Sequence, residues 1–128
     1  MTIEISTDSD FELLELNDFA PNQSTWKYYS YRIVKYTPEL FDPDKYNWKH
    51  DSWAIVKYAP QYFDPDRYNW AEDSWAVVKY APQYFDPDKY NWEAYSYEVI
   101  KYAPHLIDYK RMNWKQVYES RDFLTNTL

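Results

Sequence analysis

Three pairs of carboxylates recur along the chain, Asp42 with Asp44, Asp64 with Asp66 and Asp86 with Asp88, each pair flanking a proline. Two carboxylates this close can hold a divalent cation, or can divide the work of general acid and general base. Two histidines, His50 and His105, are the other candidate proton carriers. Four lysines, Lys35, Lys57, Lys79 and Lys101, recur with tyrosines beside them, which is the composition of an anion-binding stripe.

Each group also has a structural use. Asp42 before Pro43 is the arrangement of an N-cap followed by proline at the first helical position, where no N–H bond is lost. Asp44 then complements the helix dipole in the first turn. The segment Asp-Pro-Asp-Lys-Tyr-Asn lacks the glycine and the distant glutamate of a Ca²⁺ loop, and an active site needs one constellation rather than three copies. Neither histidine has a Ser or Cys arrangement that marks a triad, and His50 falls in a turn where a solvated side chain is the default. The lysines read as a solvated face paired to neighbouring carboxylates, because a single-strand binder needs its cations unopposed by acid. No catalytic residue, cofactor, metal or direct nucleic-acid contact is expected.

Composition narrows the chemistry further. The 128 residues contain no glycine and no cysteine, which excludes phosphate-binding glycine loops, the dinucleotide fingerprint, the Gly-flanked nucleophile elbow, disulfides and zinc thiolates. Sixteen tyrosines and seven tryptophans make the expected core largely aromatic, each ring bringing a polar handle that needs a partner. The net charge of -7 disfavours a nucleic-acid backbone and favours a basic partner surface. The first residues, MTIEISTDSD, have no basic region, apolar stretch or small-residue cleavage site, and no apolar run reaches membrane-spanning length, so a cytoplasmic, non-membrane protein is expected.

The elements that must position these residues follow from a repeat. FDPDKYNWKHDSWAIVKYAPQY, Phe41 to Tyr62, recurs as FDPDRYNWAEDSWAVVKYAPQY, Phe63 to Tyr84, a period of 22 residues. Extending the register gives five units, 19–40, 41–62, 63–84, 85–106 and 107–128, with Trp26, Trp48, Trp70, Trp92 and Trp114 at one position. Phe41 and Tyr46 form a hydrophobic staple around a short first helix beginning at Pro43. Asp51-Ser52 signals a second helix, which Pro60 ends, because the residue before proline avoids the α region. A single helix from Pro43 to Ala59 is the competing reading. The expected fold is all-α, a small α-solenoid of five helix-pair repeats within one domain. Stacking of neighbours would bury the recurrent Trp, the Phe, Ile55, Val56 and Tyr58. Residues 1–18 supply an N-terminal capping helix, and the last unit loses its proline and its Tyr-Ala-Pro triplet, as a terminal repeat should.

The helix end and following Asp in IVKYAPQYFDPD and VVKYAPQYFDPD resemble the bacterial helical repeat of domain of unknown function 4116, over Phe19 to about Leu106. That resemblance implies a helical-repeat architecture with interaction surfaces, and it implies no catalytic residues.

Two features point to a partner. Residues 1–18 carry six acids, among them Glu12, Glu15 and Asp18, and no base, so nearly all the net charge lies there. Otherwise near-identical units differ at Lys27-Tyr28-Tyr29, Lys49-His50-Asp51, Ala71-Glu72-Asp73 and Glu93-Ala94-Tyr95, which stacking would align along one edge. Packing fixes core positions, whereas surface positions are free to be fitted to a partner. Tyr28, Tyr29 and Tyr95 are aromatic anchors of the type favoured in interfaces. With Asp51, Glu72, Asp73 and Glu93 they form the expected binding edge of a non-enzymatic inhibitor or immunity-type protein. Its expected partner is a protein with a basic surface, such as a nuclease or CRISPR effector. The alternative is a structural repeat protein acting through homo-oligomeric assembly.

Overall fold

The computed structural model describes residues 21–120; the expected capping helix of residues 1–18 and the end of the last repeat lie outside them. Among the described residues five α-helices follow one another, α1 Gln23–Tyr36, α2 Trp48–Tyr58, α3 Trp70–Tyr80, α4 Trp92–Tyr102 and α5 Trp114–Glu119. Short 3₁₀ turns at Pro38–Leu40, Pro60–Tyr62, Pro82–Tyr84 and Pro104–Leu106 follow the first four, and no strand occurs among the described residues. The fold is the all-α helical repeat that the 22-residue period predicts. Two compact units divide it, the first ending at Asn69 and the second beginning at Trp70. In the first, α2 packs on α1; in the second, α4 packs on α3 and α5 on α4. Among the described residues no helix is long and apolar enough to cross a membrane.

Each repeat departs from the expected pair of α-helices. The Asp-Pro-Asp segment makes one turn: the Lys45 and Tyr46 N–H groups both donate to the Asp42 carbonyl, at 3.1 and 3.0 Å, and the Asp44 N–H donates to Asp42 Oδ1 at 3.0 Å. Phe41 and Tyr46 staple that turn with ring centroids 5.4 Å apart. It goes no further because Asn47 is held outside the helix by bonds to the preceding repeat. Its N–H donates to Ser30 Oγ at 3.0 Å, and its Nδ2–H to the Lys27 carbonyl at 2.7 Å. Asn47 Oδ1 then accepts the His50 N–H at 3.3 Å, capping α2. The long helix therefore starts at Trp48 rather than at Asp51-Ser52, and neither the expected first helix nor a continuous helix from Pro43 forms.

The Asp51-Ser52 signal marks a kink instead. Asp51 has φ -123° and ψ 19°, and Tyr29, Asp73 and Tyr95 repeat that departure in α1, α3 and α4. A kink breaks the i→i−4 ladder and releases backbone groups that need new partners. The Tyr46 hydroxyl donates to the Asp51 carbonyl at 2.6 Å, and the Tyr90 hydroxyl to the Tyr95 carbonyl at 2.8 Å. The Tyr31 N–H finds Asp51 Oδ2 of the next repeat at 3.2 Å, and the Tyr97 N–H finds Gln116 Oε1 at 2.9 Å. In α5 the register places Met112 where the tyrosine stood and Val117 at the kink position, both buried in apolar contacts.

Proline ends α2 as predicted: the helix stops at Tyr58, and the Ala59 N–H closes it on the Ile55 carbonyl at 2.9 Å. Ile33, Ile55 and Val56 are buried, as are Val77, Val78 and Val99 in the second unit. Of the recurrent tryptophans Trp26 is buried as expected, whereas Trp48, Trp70, Trp92 and Trp114 are only half-buried, against the expectation that stacking covers them. The indole serves its own turn instead: Trp48 Nε1–H donates to the Pro43 carbonyl at 2.9 Å, and the ring lies edge-on to Phe41 and Tyr46, at 6.0 and 5.3 Å.

Candidate partner-binding surface

Consecutive repeats are held by one recurring hydrogen-bond pattern. Ser30, Ser52, Ser74 and Ser96 each donate Oγ–H to the carbonyl of the Trp four residues earlier. Each Oγ also accepts the N–H of the Asn seventeen residues later, at 3.0 Å for Asn47, Asn69 and Asn91 and 2.7 Å for Asn113. The same asparagines donate Nδ2–H to the carbonyls of Lys27, Lys49, Ala71 and Glu93, at 2.7, 2.6, 2.7 and 3.1 Å. The positions that differ between repeats thus sit beside this frame and touch it through backbone carbonyls, which any side chain supplies.

The expected binding edge falls on the second turn of α1 and the first turns of α2 to α4, and divides in two. Lys27, Tyr28, Lys49 and His50 in the first unit are exposed, and so are Ala71, Glu72, Glu93 and Ala94 in the second. Tyr28 is 60% exposed and meets the Tyr29 ring edge-on at 6.4 Å. The third position of each turn points inward. Asp51 and Asp73 are only 9% and 8% exposed, so they are not free surface carboxylates. Burial pushes the Asp51 carboxyl up from its ordinary value, against the Tyr31 N–H and nearby His50, which lower it. Tyr29 is half-buried beneath the Arg32 guanidinium, 4.8 Å from its ring centroid. Tyr95 is half-buried and donates its hydroxyl to the Glu72 carbonyl at 2.8 Å. Burial and the acidic neighbours Glu72, Asp73 and Glu98 raise its pKa. Glu12, Glu15 and Asp18 lie outside the described residues.

Each unit's edge has its own character. Its exposed positions are cationic and aromatic in the first, Lys27, Tyr28, Lys49 and His50, whereas the second offers Glu72 and Glu93. Over residues 21–69 there are seven Lys or Arg against six Asp or Glu, and over 70–120 six against eight.

The other chemistry-bearing residues have structural partners. Arg67 joins Asp44 at 2.9 Å and Asp64 at 3.5 Å, and Arg111 joins Asp88 at 2.7 Å and Asp108 at 3.4 Å, all in exposed pairs. Among the described residues no group of three or more His, Cys, Asp or Glu is placed to hold a metal ion. His50 and His105 are exposed.

The recurrent lysines lie over aromatic rings, a use the charge pattern does not reveal. The Lys35 ammonium is 4.8 Å from the Tyr36 centroid and 5.7 Å from that of Tyr58; Lys79 is 5.1 Å from Tyr80 and 5.2 Å from Tyr102. The available signal was the Lys-Tyr pair at the same register position in four repeats. No protein-family profile, curated protein or solved structure matches the chain.

Proposed function

We propose that the chain is a non-enzymatic protein-binding module, a small acidic inhibitor or immunity-type protein that occupies a basic surface of a macromolecular partner. A nuclease or CRISPR effector has the basic substrate channel that this chemistry fits, which makes the reading anti-CRISPR-like. One observation carries it: the exposed first-turn positions differ between repeats, while the Ser, Asn and buried aliphatic positions around them are fixed by the frame. In the second unit those positions place Glu72 and Glu93 in solvent, beside a tyrosine whose hydroxyl is already satisfied. Charge complementarity of this kind acts on encounter rate and specificity. Glu12, Glu15 and Asp18, which lie outside the described residues, are further acidic candidates for the same partner.

A photo-crosslinking side chain at Ala94, with a control at exposed Gln83, tests the reading in source-cell lysate. A basic protein crosslinked from position 94 and not from 83 is the expected result. Binding of that protein should weaken by roughly tenfold in the Glu72→Lys, Glu93→Lys variant, with a shallower salt dependence. Equal labelling from both positions, or an unchanged affinity, removes the edge from the interface.

One observation favours the alternative, homo-oligomeric assembly. In the last repeat Tyr109 and Tyr118 replace a proline and a serine and are 74% and 58% exposed. They flank Trp114 at centroid distances of 5.9 and 6.2 Å. Light scattering of the wild-type protein and of the Tyr109→Ser, Tyr118→Ser variant decides it, since assembly through these rings requires a mass that falls in the variant.

A further inference from the structure

The turn that opens the last repeat departs from the others in a concerted way. Ile107 stands where every other repeat has phenylalanine, and Tyr109 where every other has proline. Lys110 stands where Asp44, Asp66 and Asp88 lie, and Leu106, just before the turn, where Tyr62 and Tyr84 lie. In the first unit Tyr62 stacks on Phe41 with centroids 4.5 Å apart. The corresponding position beside Phe85 holds Leu106, so Phe85 does not receive that ring. A groove of about 540 Å³ lies there within the second unit, lined by Phe85, Pro87, Leu106 and Ile107 together with Tyr109 and Lys110.

The groove stands beside side chains suited to fill a groove of its kind. Tyr109 is 74% exposed, although it stacks on Trp114 at 5.9 Å. Tyrosine is among the residues on which interface energy concentrates, and its ring prefers a stacked or edge-on neighbour such as Phe85. Lys110 is exposed and makes no ion pair among the described residues. Pro87 and Asp88 of the preceding turn are exposed as well. Asp88 gives Oδ1 to the Arg111 guanidinium at 2.7 Å, which leaves Oδ2 able to accept a second cation. A ring and an ammonium therefore adjoin the place of a missing ring and a carboxylate. Two such surfaces related by a two-fold axis complement each other, because an isologous interface makes every contact twice. An aspartate at 110, as in the preceding three repeats, would instead set like charges together.

We propose that the chain pairs with a second copy of itself through this groove. Tyr109 of each copy lies against Phe85 and Pro87 of the other, and Lys110 of each meets Asp88 of the other. The ring missing at position 106 is thus supplied by the second copy. The exposed ion pair contributes selectivity more than affinity, and the aromatic contact carries the binding. This interface rests on the assembly reading and specifies it. It leaves the acidic positions Glu72 and Glu93 free for another protein, since neither lines the groove.

Light scattering of the full chain over a wide range of concentration tests the pairing. The wild type is expected to approach the mass of two chains and to stop there. Leu106→Tyr, Ile107→Phe restores the side chains of the second and third repeats, fills the groove and weakens dimerisation by roughly tenfold or more. Lys110→Asp and Asp88→Lys each oppose like charges and dimerise more weakly alone, by roughly tenfold. Their equimolar mixture recovers the wild-type mass, because each copy offers the charge that the other lacks. Loss of folding cannot imitate that recovery, and circular dichroism melts establish that every variant is folded. A wild type that stays monomeric at every concentration overturns the pairing and the assembly reading together. A wild-type dimer that survives groove filling, or that is indifferent to the charge variants, overturns this interface and leaves assembly to another face. A mixture that recovers nothing does the same. A mass that grows beyond two chains overturns the two-fold pairing, since a closed isologous contact ends at a dimer.

Discussion

Asn91 joins two repeats of the second unit through three bonds with separable contributions. Its Nδ2–H donates to the Ala71 carbonyl at 2.7 Å, its Oδ1 accepts the Ala94 N–H at 3.2 Å as the cap of α4, and its backbone N–H donates to Ser74 Oγ at 3.0 Å. Replacement by Ser keeps the backbone bond and the cap but is too short to reach Ala71. That lost hydrogen bond is worth about 1 kcal/mol. Replacement by Ala removes the cap as well, a further loss of about 1 kcal/mol. The expected order of stability is wild type, Asn91→Ser, Asn91→Ala, in steps of about 1 kcal/mol. Urea unfolding followed by far-ultraviolet circular dichroism measures the steps, with an unchanged denaturant slope showing that the denatured state is the same. If Asn91→Ser matches the wild type, the side chain does not bridge the repeats and the ladder is held by its backbone bonds alone. If the Ser and Ala variants are equal, the cap is not a cap.

The other two predictions concern the kinks. Because burial raises the folded pKa of Asp51 above its unfolded value, its titration favours the folded state at low pH, and that advantage is lost as pH rises from the unfolded value of about 3.9 through the folded one. Asp51→Asn, whose amide oxygen still accepts the Tyr31 N–H, should match the wild type at the acid end and gain stability relative to it across that window; a gain that is flat with pH refutes the assignment. Tyr90→Phe leaves the Tyr95 carbonyl of the α4 kink without its 2.8 Å partner, and should cost about 1 kcal/mol by thermal or urea unfolding. No loss would mean that the hydroxyl does not support the kink.

What the sequence makes legible here is whatever is local or periodic. The 22-residue register announces itself through near-identity of Phe41 to Tyr62 and Phe63 to Tyr84, and proline stops each helix by a steric rule that involves one neighbour. Helix starts are harder. Asp42-Pro43 and Asp51-Ser52 carry equally good start signals, yet the first makes a single turn and the second a kink. The deciding groups, Ser30 for Asn47 and the Tyr31 N–H for Asp51, stand 17 and 20 residues earlier. The same distance dependence divides the candidate site. Lys49, His50 and Glu72 are correctly placed in solvent by their variability, but Asp51 and Asp73 look equally polar and are buried, Asp51 against the Tyr31 N–H of the preceding repeat. Trp48 misleads for a related reason: hydropathy counts its ring and misses the indole N–H that ties it to Pro43.

The division of labour within a repeat explains how one frame can carry surfaces of opposite sign. The bonds between repeats at the two exposed positions end on backbone carbonyls, so changing Lys49-His50 to Ala71-Glu72 leaves them intact. The neighbouring third position lacks that freedom where its side chain meets the preceding repeat, Asp51 at the Tyr31 N–H and Tyr95 at the Glu72 carbonyl, and the four kinked helices carry only Asp or Tyr there. Charge can therefore be rewritten repeat by repeat at two exposed positions without disturbing the core. The result is a basic edge over residues 27–50 and an acidic one over 72–93 on helices of the same construction. Recognition in such a protein is set by which repeat carries which pair of first-turn residues, and the frame beneath supplies only their spacing.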